Sequence, residues 1–500
     1  MSSERSSERS SERSSERSSE RSSERYDVII VGSGAGDAAA AYKLARAGKR
    51  VLMLEKGREL PRDGSTLDIR EVFKEGRFKN KQPWLDGGGK HFVPGEYYNV
   101  GGKTKWYGAA LLRFSAHEFA ADPEHQCLAW PFGLEELVPY YDEAERLLHV
   151  NRFDNEPELQ ELIDKLVRDG SGWRWEPLPL GLKPEIIHDP KEAKHFDGYA
   201  SVAGYKADAE RNLIDAIAHL PNFSLLTRKK VIALLHEPGA PEAIEGVVCR
   251  DGSYYRAGRT VLAAGAMTSP RILEDHLAAS GLGATLPCAA MVGANFKLHL
   301  NSALVAFSPF SDHDVLRKTA IFFNDLYPHT TVQCLGWLDG DILATQLPDA
   351  VPKFVTNAIG ARAIGFFVTT EDGSSPANRI ISGGGDGGVP TADYSLERVP
   401  PAQAEHSRAA ADFTRHLLRV GLAGVDRYLG LAGSAHAMGS LVTGTDPQTS
   451  VVDPHGKVHG MEGLYVGDGS VLARASRVNP ALTIYAWGLR LGEHLAKDAA

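Results

Sequence analysis

A glycine-rich turn and a distant carboxylate have the spacing of a dinucleotide-binding site. Gly32, Gly34, Ala35 and Gly36 follow an apolar run, and Glu55 ends a second apolar run about twenty residues later. In such a turn the first glycine allows a tight bend, and the second lets the backbone approach a pyrophosphate. The acid accepts hydrogen bonds from ribose hydroxyls. The spacing therefore predicts that these residues bind a dinucleotide.

A strand, a helix and a second strand are predicted to position this turn. Asp27–Val31 is the first apolar run, Ala38–Ala47 is an alanine-rich helix, and Val51–Leu54 is the second run. The N-terminus of the helix would direct free N–H groups and partial positive charge at the phosphates. Asp37 replaces the third glycine, and we predict that it faces solvent in the first helical turn. A doubly wound fold that binds no nucleotide is the alternative.

Composition and charge restrict the class of protein. The 500 residues are 43% hydrophobic and 24% charged, with a formal net charge of −9, which suits a folded chain of two domains. Basic patches interleaved with aromatic residues are missing from the sequence, so nucleic acid is not an expected partner. Apolar stretches of about 18 residues are missing too, so we expect no membrane span. The four cysteines lie far apart without metal-ligand spacing, which argues against a metal site and favours a reducing, cytoplasmic compartment.

The order of patterns along the chain predicts a discontinuous domain. Ser-Ser-Glu-Arg repeats fill the start of the chain, so residues 1–25 are predicted to be a disordered polar tail. We expect a cofactor-binding domain over 26–295, a second domain over 296–425, and a return to the first domain over 426–500. Helices are predicted over 139–150, 156–169, 206–220 and 405–420, and Val261–Gly265 is predicted as a separate short strand. The fold class is therefore α/β, with a Rossmann-like discontinuous domain and an inserted α+β domain built on an antiparallel sheet.

Several motifs together resemble those of the glucose–methanol–choline (GMC) oxidoreductases, flavoproteins that oxidise alcohols. The matching segments, in chain order, are the glycine-rich loop 99–113, Gly265–Leu273, Val292–His299, Ser434–Ser440, Ser450–Asp453, Leu464–Ser470 and Val478–Thr483. The resemblance extends from about Tyr26 to the C-terminus, and it is closest to members that oxidise sugar alcohols and pyranoses.

The resemblance implies that the dinucleotide is FAD, with the helix after Asn479 and Pro480 directed at the flavin. Besides the turn and Glu55, it assigns cofactor contacts to Gly101, Gly102, Thr104, Val231, Gly265, Gly467, Asp468, Asn479 and Pro480. Some members attach FAD covalently through a histidine of the glycine-rich loop. Trp106 stands at that position here, so we predict non-covalent FAD.

The resemblance also assigns the reaction to a histidine and an asparagine. Oxidation of an alcohol removes a hydroxyl proton and passes a hydride from carbon to flavin N5. Aliphatic hydroxyls do not ionise at neutral pH, so a base is required, and histidine with a pKa near ~6.5 suits that role. We predict that His436 is the base and that Asn479 orients the substrate oxygen. His299 and Trp106 are weaker candidates for the substrate pocket, with purely structural roles as the alternative.

Three functions are compatible with these residues. The leading hypothesis is an FAD-dependent oxidoreductase that acts on a sugar, glycoside or polyol and passes electrons to O2 or a quinone. A GMC-like lyase that keeps FAD without redox turnover is the second hypothesis. A flavin-free binding protein is the third, because Asp37 departs from the nucleotide-binding motif.

Overall fold

The computed structural model describes residues 25–168, 170–311, 313–338, 340–345, 351–431 and 436–497. The repeats predicted as a disordered tail lie outside these residues, apart from Arg25. The strands are β1 Arg25–Val31, β2 Val51–Leu54, β3 Trp84–Asp86, β4 His91–Phe92, β5 Trp173–Pro177, β6 Phe223–Leu226, β7 Val231–Glu237, β8 Ala240–Cys249, β9 Tyr254–Leu262, β10 Leu300–Phe307, β11 Ala320–Asn324, β12 Thr330–Cys334, β13 Ala363–Thr370, β14 Arg379–Ile381, β15 Thr391–Asp393, β16 Ala423–Tyr428 and β17 Leu464–Val466. The α-helices are α1 Ala35–Arg46, α2 Val138–Leu147, α3 Pro157–Arg168, α4 Pro190–Lys194, α5 Asp215–Ile217, α6 Ser269–Ser280, α7 Gly340–Ala344, α8 Lys353–Gly360, α9 Pro400–Arg419 and α10 Ala481–Lys497.

The first sheet is the nucleotide-binding type that the sequence predicts. Strands β6, β2, β1 and β9 are parallel neighbours, and β17 joins β9 in the same direction. Both faces of such a sheet are covered, so its strands are continuous apolar runs, and β2 is buried throughout. Helix α1 follows β1 directly and connects it to β2. The predicted strand–turn–helix–strand unit is confirmed.

Strand β9 corrects one prediction. Val261 and Leu262 do not begin a separate strand, because they continue β9 from Tyr254. The start of β9 forms a hairpin with β8, whereas the part from Arg256 to Leu262 pairs with β1. Strand β9 therefore has three partners, because its last residues, Thr260–Leu262, also pair with β17. Its arginines interrupt the apolar pattern without cost where they are paired, as Arg256 is with Glu245.

The second sheet is antiparallel, as predicted for the inserted domain. Its order is β16-β10-β13-β12-β11-β5. One face packs on α9, where Phe413 contacts Phe322 and Phe366 at ring-centroid distances of 5.5 and 5.2 Å. The other face carries Phe367 towards the first domain. Strand β5 comes from outside the predicted range 296–425.

The C-terminal helix returns to the first domain and packs closely on α1. An added Cβ on Gly488 would lie 2.3 Å from the carbonyl oxygen of Gly36, and one on Gly492 would lie 2.7 Å from that of Ala40. Small residues on both helices therefore let the two backbones approach. This contact fixes the start of α1, where the glycine-rich turn lies.

The helix predictions are confirmed for α2, α3 and α9, with shifts of a few residues at their ends. The helix predicted over 206–220 is wrong in extent, because only residues 210–217 are helical and the first part is a π-helical turn at Glu210–Ile214. Within the described parts of the chain, no helix combines the length and the apolar character that crossing a bilayer requires.

Candidate active site

A cavity of about 520 Å³ lies between the carboxyl ends of β1 and β2 and the face of the second sheet that carries Phe367. Its volume is in the range of about 300–1,000 Å³ that is usual for ligand sites. Fourteen of the residues predicted from the sequence line it: Gly32, Gly34, Ala35, Gly36, Glu55, Gly102, Thr104, Trp106, Val231, Gly265, His436, Asp468, Asn479 and Pro480. The fold therefore brings together two motifs that are more than 400 positions apart in the chain.

The glycine turn is closed by contacts that only glycine allows. Gly32 has a φ of +124°, and an added Cβ would lie 2.4 Å from the carbonyl oxygen of Ala263. Gly36 is equally crowded, since its Cβ would lie 1.8 Å from the carbonyl oxygen of Gly467. Gly467 thus packs against the turn instead of lining the cavity. Gly102 of the second glycine loop packs against Gly34, because an added Cβ on Gly102 would lie 3.4 Å from the Gly34 Cα.

Asp37 contradicts the prediction that it faces solvent. Its side chain is buried, with 1% of its surface exposed, and its carboxylate accepts a hydrogen bond from the Gly34 N–H at 2.8 Å. The carboxylate also lies against Gly32. Burial, together with the nearby Asp468, raises the pKa of Asp37 well above its ordinary value. Helical position alone did not reveal this, because segments distant in sequence cover the first turn of α1.

Glu55 occupies the position expected of a ribose acceptor. Its carboxylate accepts hydrogen bonds from the Ser33 hydroxyl at 2.5 Å and from the Gly57 N–H at 2.6 Å. Burial raises the pKa of Glu55, against the lowering effect of these two donors. The next residue, Lys56, has its pKa lowered to about 8 by burial and by the charge of Lys230.

Asp468 lines the cavity and links its own turn to the turn at Gly265–Ser269. It accepts hydrogen bonds from the Gly265 N–H at 2.8 Å, from the Ser269 hydroxyl at 2.5 Å, and from the N–H and hydroxyl of Ser470 at 2.9 and 2.5 Å. Burial raises its pKa although these donors oppose the shift. An added Cβ on Gly265 would meet nothing within 4 Å, so this turn borders open space.

His436 lies half-buried in the cavity wall, and a second histidine stands behind it. His299 Nδ1 is 2.7 Å from His436 Nδ1, and the two rings are edge to face. His299 itself is buried and does not line the cavity, so the structure places it away from the predicted substrate pocket. Burial and the neighbouring His299, Lys103 and Lys318 lower the pKa of His436 well below its ordinary value. The imidazole is therefore neutral at physiological pH.

Asn479 lies at the start of α10, directly before Pro480. Proline is favoured before or in the first turn of a helix, which explains why the chain turns into α10 here. Gln333 of β12 donates a hydrogen bond from Nε2 to Asn479 Oδ1 at 2.5 Å. An acceptor that is occupied in this way leaves the Asn479 amide N–H groups as the free donors of that side chain. Gln333 was not found from the sequence because only the tertiary structure brings it to Asn479.

Trp106 lines the cavity as part of an aromatic cluster. Its ring stacks on Tyr97 with 4.9 Å between centroids, and its Nε1–H donates to Asn99 Oδ1 at 3.0 Å. Thr104 donates its hydroxyl hydrogen bond to the Gly101 carbonyl at 2.5 Å. Gly101 therefore supports the loop from behind and does not line the cavity itself.

Comparison with known proteins decides the family. Two family models, both described as GMC oxidoreductase, match residues 33–301 and 391–488. The chain belongs to the GMC oxidoreductase family. The cofactor of this family is FAD, and the predicted family resemblance is confirmed.

Relatives of this GMC oxidoreductase include two sugar-oxidising enzymes. It is 28% identical to paromamine 6'-oxidase of Streptomyces fradiae over 95% of this chain and 92% of that protein. It is 27% identical to 6'''-hydroxyparomomycin C oxidase of Streptomyces lividus over 95% and 93% of the two chains. Its fold is similar to that of pyridoxine 4-oxidase from Mesorbium loti, with a TM-score of 0.62 and 18% identity over 94% of this chain and 99% of the other.

The residues present fit the FAD of a GMC oxidoreductase. The turn at Gly32–Gly36, the acceptor Glu55 and the open edge at Gly265 line one continuous cavity, as an extended dinucleotide requires. Asp37 does not block it, because its carboxylate is turned back onto the Gly34 N–H. That bond nevertheless removes one N–H from the set that α1 could offer to phosphates.

Two ion pairs in the cavity wall were missed by the sequence analysis. Lys103 Nζ donates to Glu96 Oε1 at 2.7 Å, and Lys318 Nζ donates to Asp197 Oδ2 at 2.9 Å. All four side chains line the cavity. Lys318 and Asp197 are 121 positions apart, so only the fold brings them together. Glu96 and Lys103 are close in sequence, but they do not share a helix or strand whose spacing would predict their contact.

A buried cluster of two overlapping triads, His125–His329–Glu405 and Cys127–His329–Glu371, has metal-ligand chemistry, although the sequence predicted no metal. Its donor atoms are engaged within the protein. His329 bonds to Glu371 through Nδ1 at 2.8 Å, and Glu371 pairs with Arg474 through both carboxylate oxygens at 2.9 and 2.6 Å. A guanidinium in direct contact with this carboxylate opposes binding of a cation.

Proposed function

We propose that this GMC oxidoreductase oxidises a secondary or primary hydroxyl of a sugar, glycoside or similar polyol, with His436 as base and Asn479 as its partner. The observation that carries the proposal is that both side chains line the same cavity as the glycine turn and Glu55. A base and an amide donor at the flavin end of an FAD cavity are the groups that alcohol oxidation needs.

The proton goes to His436 and the substrate oxygen is held by Asn479. His436 is neutral, so it accepts the hydroxyl proton, and general-base assistance of this kind contributes about 10²–10⁴ in rate. The free Asn479 amide N–H donates to the same oxygen and stabilises the negative charge that develops there. FAD supplies the acceptor for the hydride that leaves the carbon. The two side chains therefore contact the same substrate oxygen, His436 as acceptor of its proton and Asn479 as hydrogen-bond donor. Together they orient the C–H bond of the adjacent carbon.

The wall of the cavity suits a substrate with several hydroxyls. The pairs Lys103–Glu96 and Lys318–Asp197 present both donors and acceptors to the cavity, and each pair is neutral as a whole. Hydroxyl groups donate and accept hydrogen bonds at once, so a polyol can engage both partners of a pair. The relatives named for oxidation of paromamine and hydroxyparomomycin support a carbohydrate substrate for this chain.

Anaerobic reduction of the bound flavin tests the reaction. The holoenzyme is mixed without oxygen with a panel of sugars, glycosides and polyols, and flavin absorbance is followed. Bleaching by at least one member, followed by recovery on addition of air or a quinone, is the expected result. A lyase would transform its substrate while its flavin remains oxidised, and a flavin-free binding protein would not retain FAD through gel filtration.

We further propose that FAD is held without a covalent bond, because Trp106 has no nucleophilic atom at the position where some members carry histidine. Acid precipitation should leave all flavin in the supernatant, and flavin in the protein pellet would contradict this. O2 or a quinone is the proposed electron acceptor. A reducing compartment such as the cytoplasm is proposed from the four cysteines, all of them buried and free thiols.

A further inference from the structure

His299 makes three contacts that together fix where its proton lies. Its Nε2 is 2.9 Å from the Ser476 carbonyl oxygen and 3.1 Å from the Ala475 carbonyl oxygen. Carbonyl oxygens only accept hydrogen bonds, so Nε2 must carry the hydrogen. Burial lowers the pKa of His299, which keeps the ring neutral with a single N–H. Its Nδ1 is therefore an acceptor.

This acceptor determines the tautomer of His436. The 2.7 Å contact between the two Nδ1 atoms requires one hydrogen between them, and His299 cannot supply it. His436 must therefore carry its hydrogen on Nδ1, and its Nε2 then bears the free lone pair. Among the described residues Nε2 of His436 has no hydrogen-bond partner, so it is available to a ligand in the cavity.

We propose that His299 is a positioning residue that holds His436 in the tautomer whose Nε2 accepts the proton of the substrate hydroxyl. The inference rests on the proposed function of His436. It adds a requirement that the histidine motif alone does not contain: His436 donates a hydrogen bond to His299, and His299 donates to the backbone carbonyls of Ala475 and Ser476.

The backbone carbonyls of Ala475 and Ser476, which accept the hydrogen bonds of His299, are themselves held in place. Ser476 has a φ of 64°, in the left-handed region, which a serine keeps only when its surroundings require it. Its N–H donates to Glu371 Oε1 at 2.9 Å and its hydroxyl donates to Glu118 Oε1 at 2.5 Å. Both carboxylates belong to buried residues. The bend at Ser476 therefore points its carbonyl, together with that of Ala475, at His299.

Two substitutions separate hydrogen-bond direction from packing. In His299→Gln the side-chain amide can donate to the carbonyls and its oxygen can accept from His436, so the direction is retained. In His299→Leu the volume is similar but both bonds are lost, and His436 can move its hydrogen to Nε2. Loss of the partner that orients a metal-bound histidine typically costs about 10–100-fold, and His299 orients His436 through the same kind of hydrogen bond. We expect that loss in the anaerobic flavin-reduction rate constant for His299→Leu, and largely restored reduction for His299→Gln.

A second measurement does not depend on turnover. Histidine labelled with ¹⁵N is incorporated into the substrate-free holoenzyme, and the His436 signals are assigned by difference from His436→Gln. The inference requires a protonated Nδ1 and an unprotonated Nε2 in the wild type and in His299→Gln, and a shift towards protonated Nε2 in His299→Leu. Flavin content and melting temperature are compared across all variants so that a folding defect is visible.

The outcomes distinguish the two proposals. If no alcohol reduces the wild-type flavin, the proposed function fails, while the nitrogen shifts still test the tautomer. If the wild type is reduced and His299→Leu is reduced as fast, or if its His436 tautomer is unchanged, the role given to His299 is overturned. If His299→Gln is as slow as His299→Leu although both bind FAD, a specific hydrogen-bond direction is also excluded.

Discussion

At the cavity wall, single hydrogen bonds decide what each functional side chain offers to a ligand. His299 accepts a hydrogen bond from the Nδ1–H of His436, and Gln333 donates one to Asn479 Oδ1. The cavity therefore receives one acceptor from His436 and one donor from Asn479. An alcohol oxygen needs both, since it donates its proton and accepts a hydrogen bond as charge develops on it.

Removal of the His436 imidazole tests the base directly. We expect His436→Ala to lower the rate of anaerobic flavin reduction by about 10²–10⁴, because general-base assistance is lost. Bound FAD should be retained, since the glycine turn and Glu55 are untouched. His219→Ala, which changes an exposed histidine, is the matched control. Reduction of His436→Ala at a rate within a few-fold of the wild type would exclude it as the base.

Asp37 gives a prediction about charge near the pyrophosphate. Its pKa is raised mainly by burial and then by Asp468, so the ionised form is disfavoured in the folded state. A raised carboxyl pKa costs stability once the pH exceeds the unfolded value, and the cost grows until the folded pKa is passed. Asp37→Asn keeps an oxygen for the Gly34 N–H and removes the charge. It should therefore stabilise the protein at neutral pH by about 1–3 kcal/mol and tighten FAD binding.

The pH dependence separates this effect from a change in packing. The advantage of Asp37→Asn over wild type in chemical denaturation should shrink as the pH falls towards the ordinary carboxyl pKa of about 3.9. Denaturation and FAD titration at several pH values measure it. A stability difference that is constant with pH, or weaker FAD binding by the variant at neutral pH, would show that the ionised carboxylate of Asp37 does not destabilise the folded protein or its complex with FAD.

Among the structural elements, α10 packs directly on the first turn of α1, which lines the cavity. Gly→Ala in a helix interior usually stabilises by about 1 kcal/mol. Gly488→Ala should do the opposite and cost about 1–3 kcal/mol, because its Cβ would lie 2.3 Å from the Gly36 carbonyl oxygen. The displaced turn should also bind FAD more weakly. Thermal denaturation and FAD titration measure both effects, and Gly387→Ala, whose Cβ would meet nothing within 4 Å, is the control.

Local pattern was sufficient for the first βαβ unit, and the two motif residues that it singled out, His436 and Asn479, both line the cavity, while their catalytic roles stay predictions. It was not sufficient where a segment has more than one partner. Strand β9 was divided in two because its charged residues break the apolar run, whereas continuous pairing with β1 from Arg256 to Leu262 makes it one strand. The burial of Asp37 near Asp468 and the hydrogen bond of Gln333 to Asn479, 146 positions along the chain, are long-range contacts, and no periodicity in the sequence reports them.

At the scale of the whole molecule, a buried polar network joins the second sheet to the C-terminal part of the first domain. Glu371 follows β13 directly, and Arg474 lies in the segment between β17 and α10. Both side chains are almost fully buried, and breaking such a pair by removing one partner typically costs about 3–5 kcal/mol. Because Ser476 is bonded to the same Glu371, this connection between domains also supports the base.

His329 makes the stability of this connection depend on pH. Burial acts to lower the pKa of His329, but the hydrogen bond and charge of Glu371 and the charges of Glu405 and Asp122 raise it above the ordinary value. The ring of His125 stacks on that of His329 with 3.7 Å between centroids. A raised histidine pKa contributes stability that is fully present below the unfolded value of about 6.5 and is lost as the pH rises through the folded value. His329→Gln should therefore destabilise the protein most at about pH 5.5 and least at about pH 8.5. Chemical denaturation at both pH values measures this difference in stability, and His91→Gln, which changes an exposed histidine, is the control. An equal or larger loss of stability at the higher pH would mean that His329 is neutral in the folded protein and that Arg474 alone holds the network.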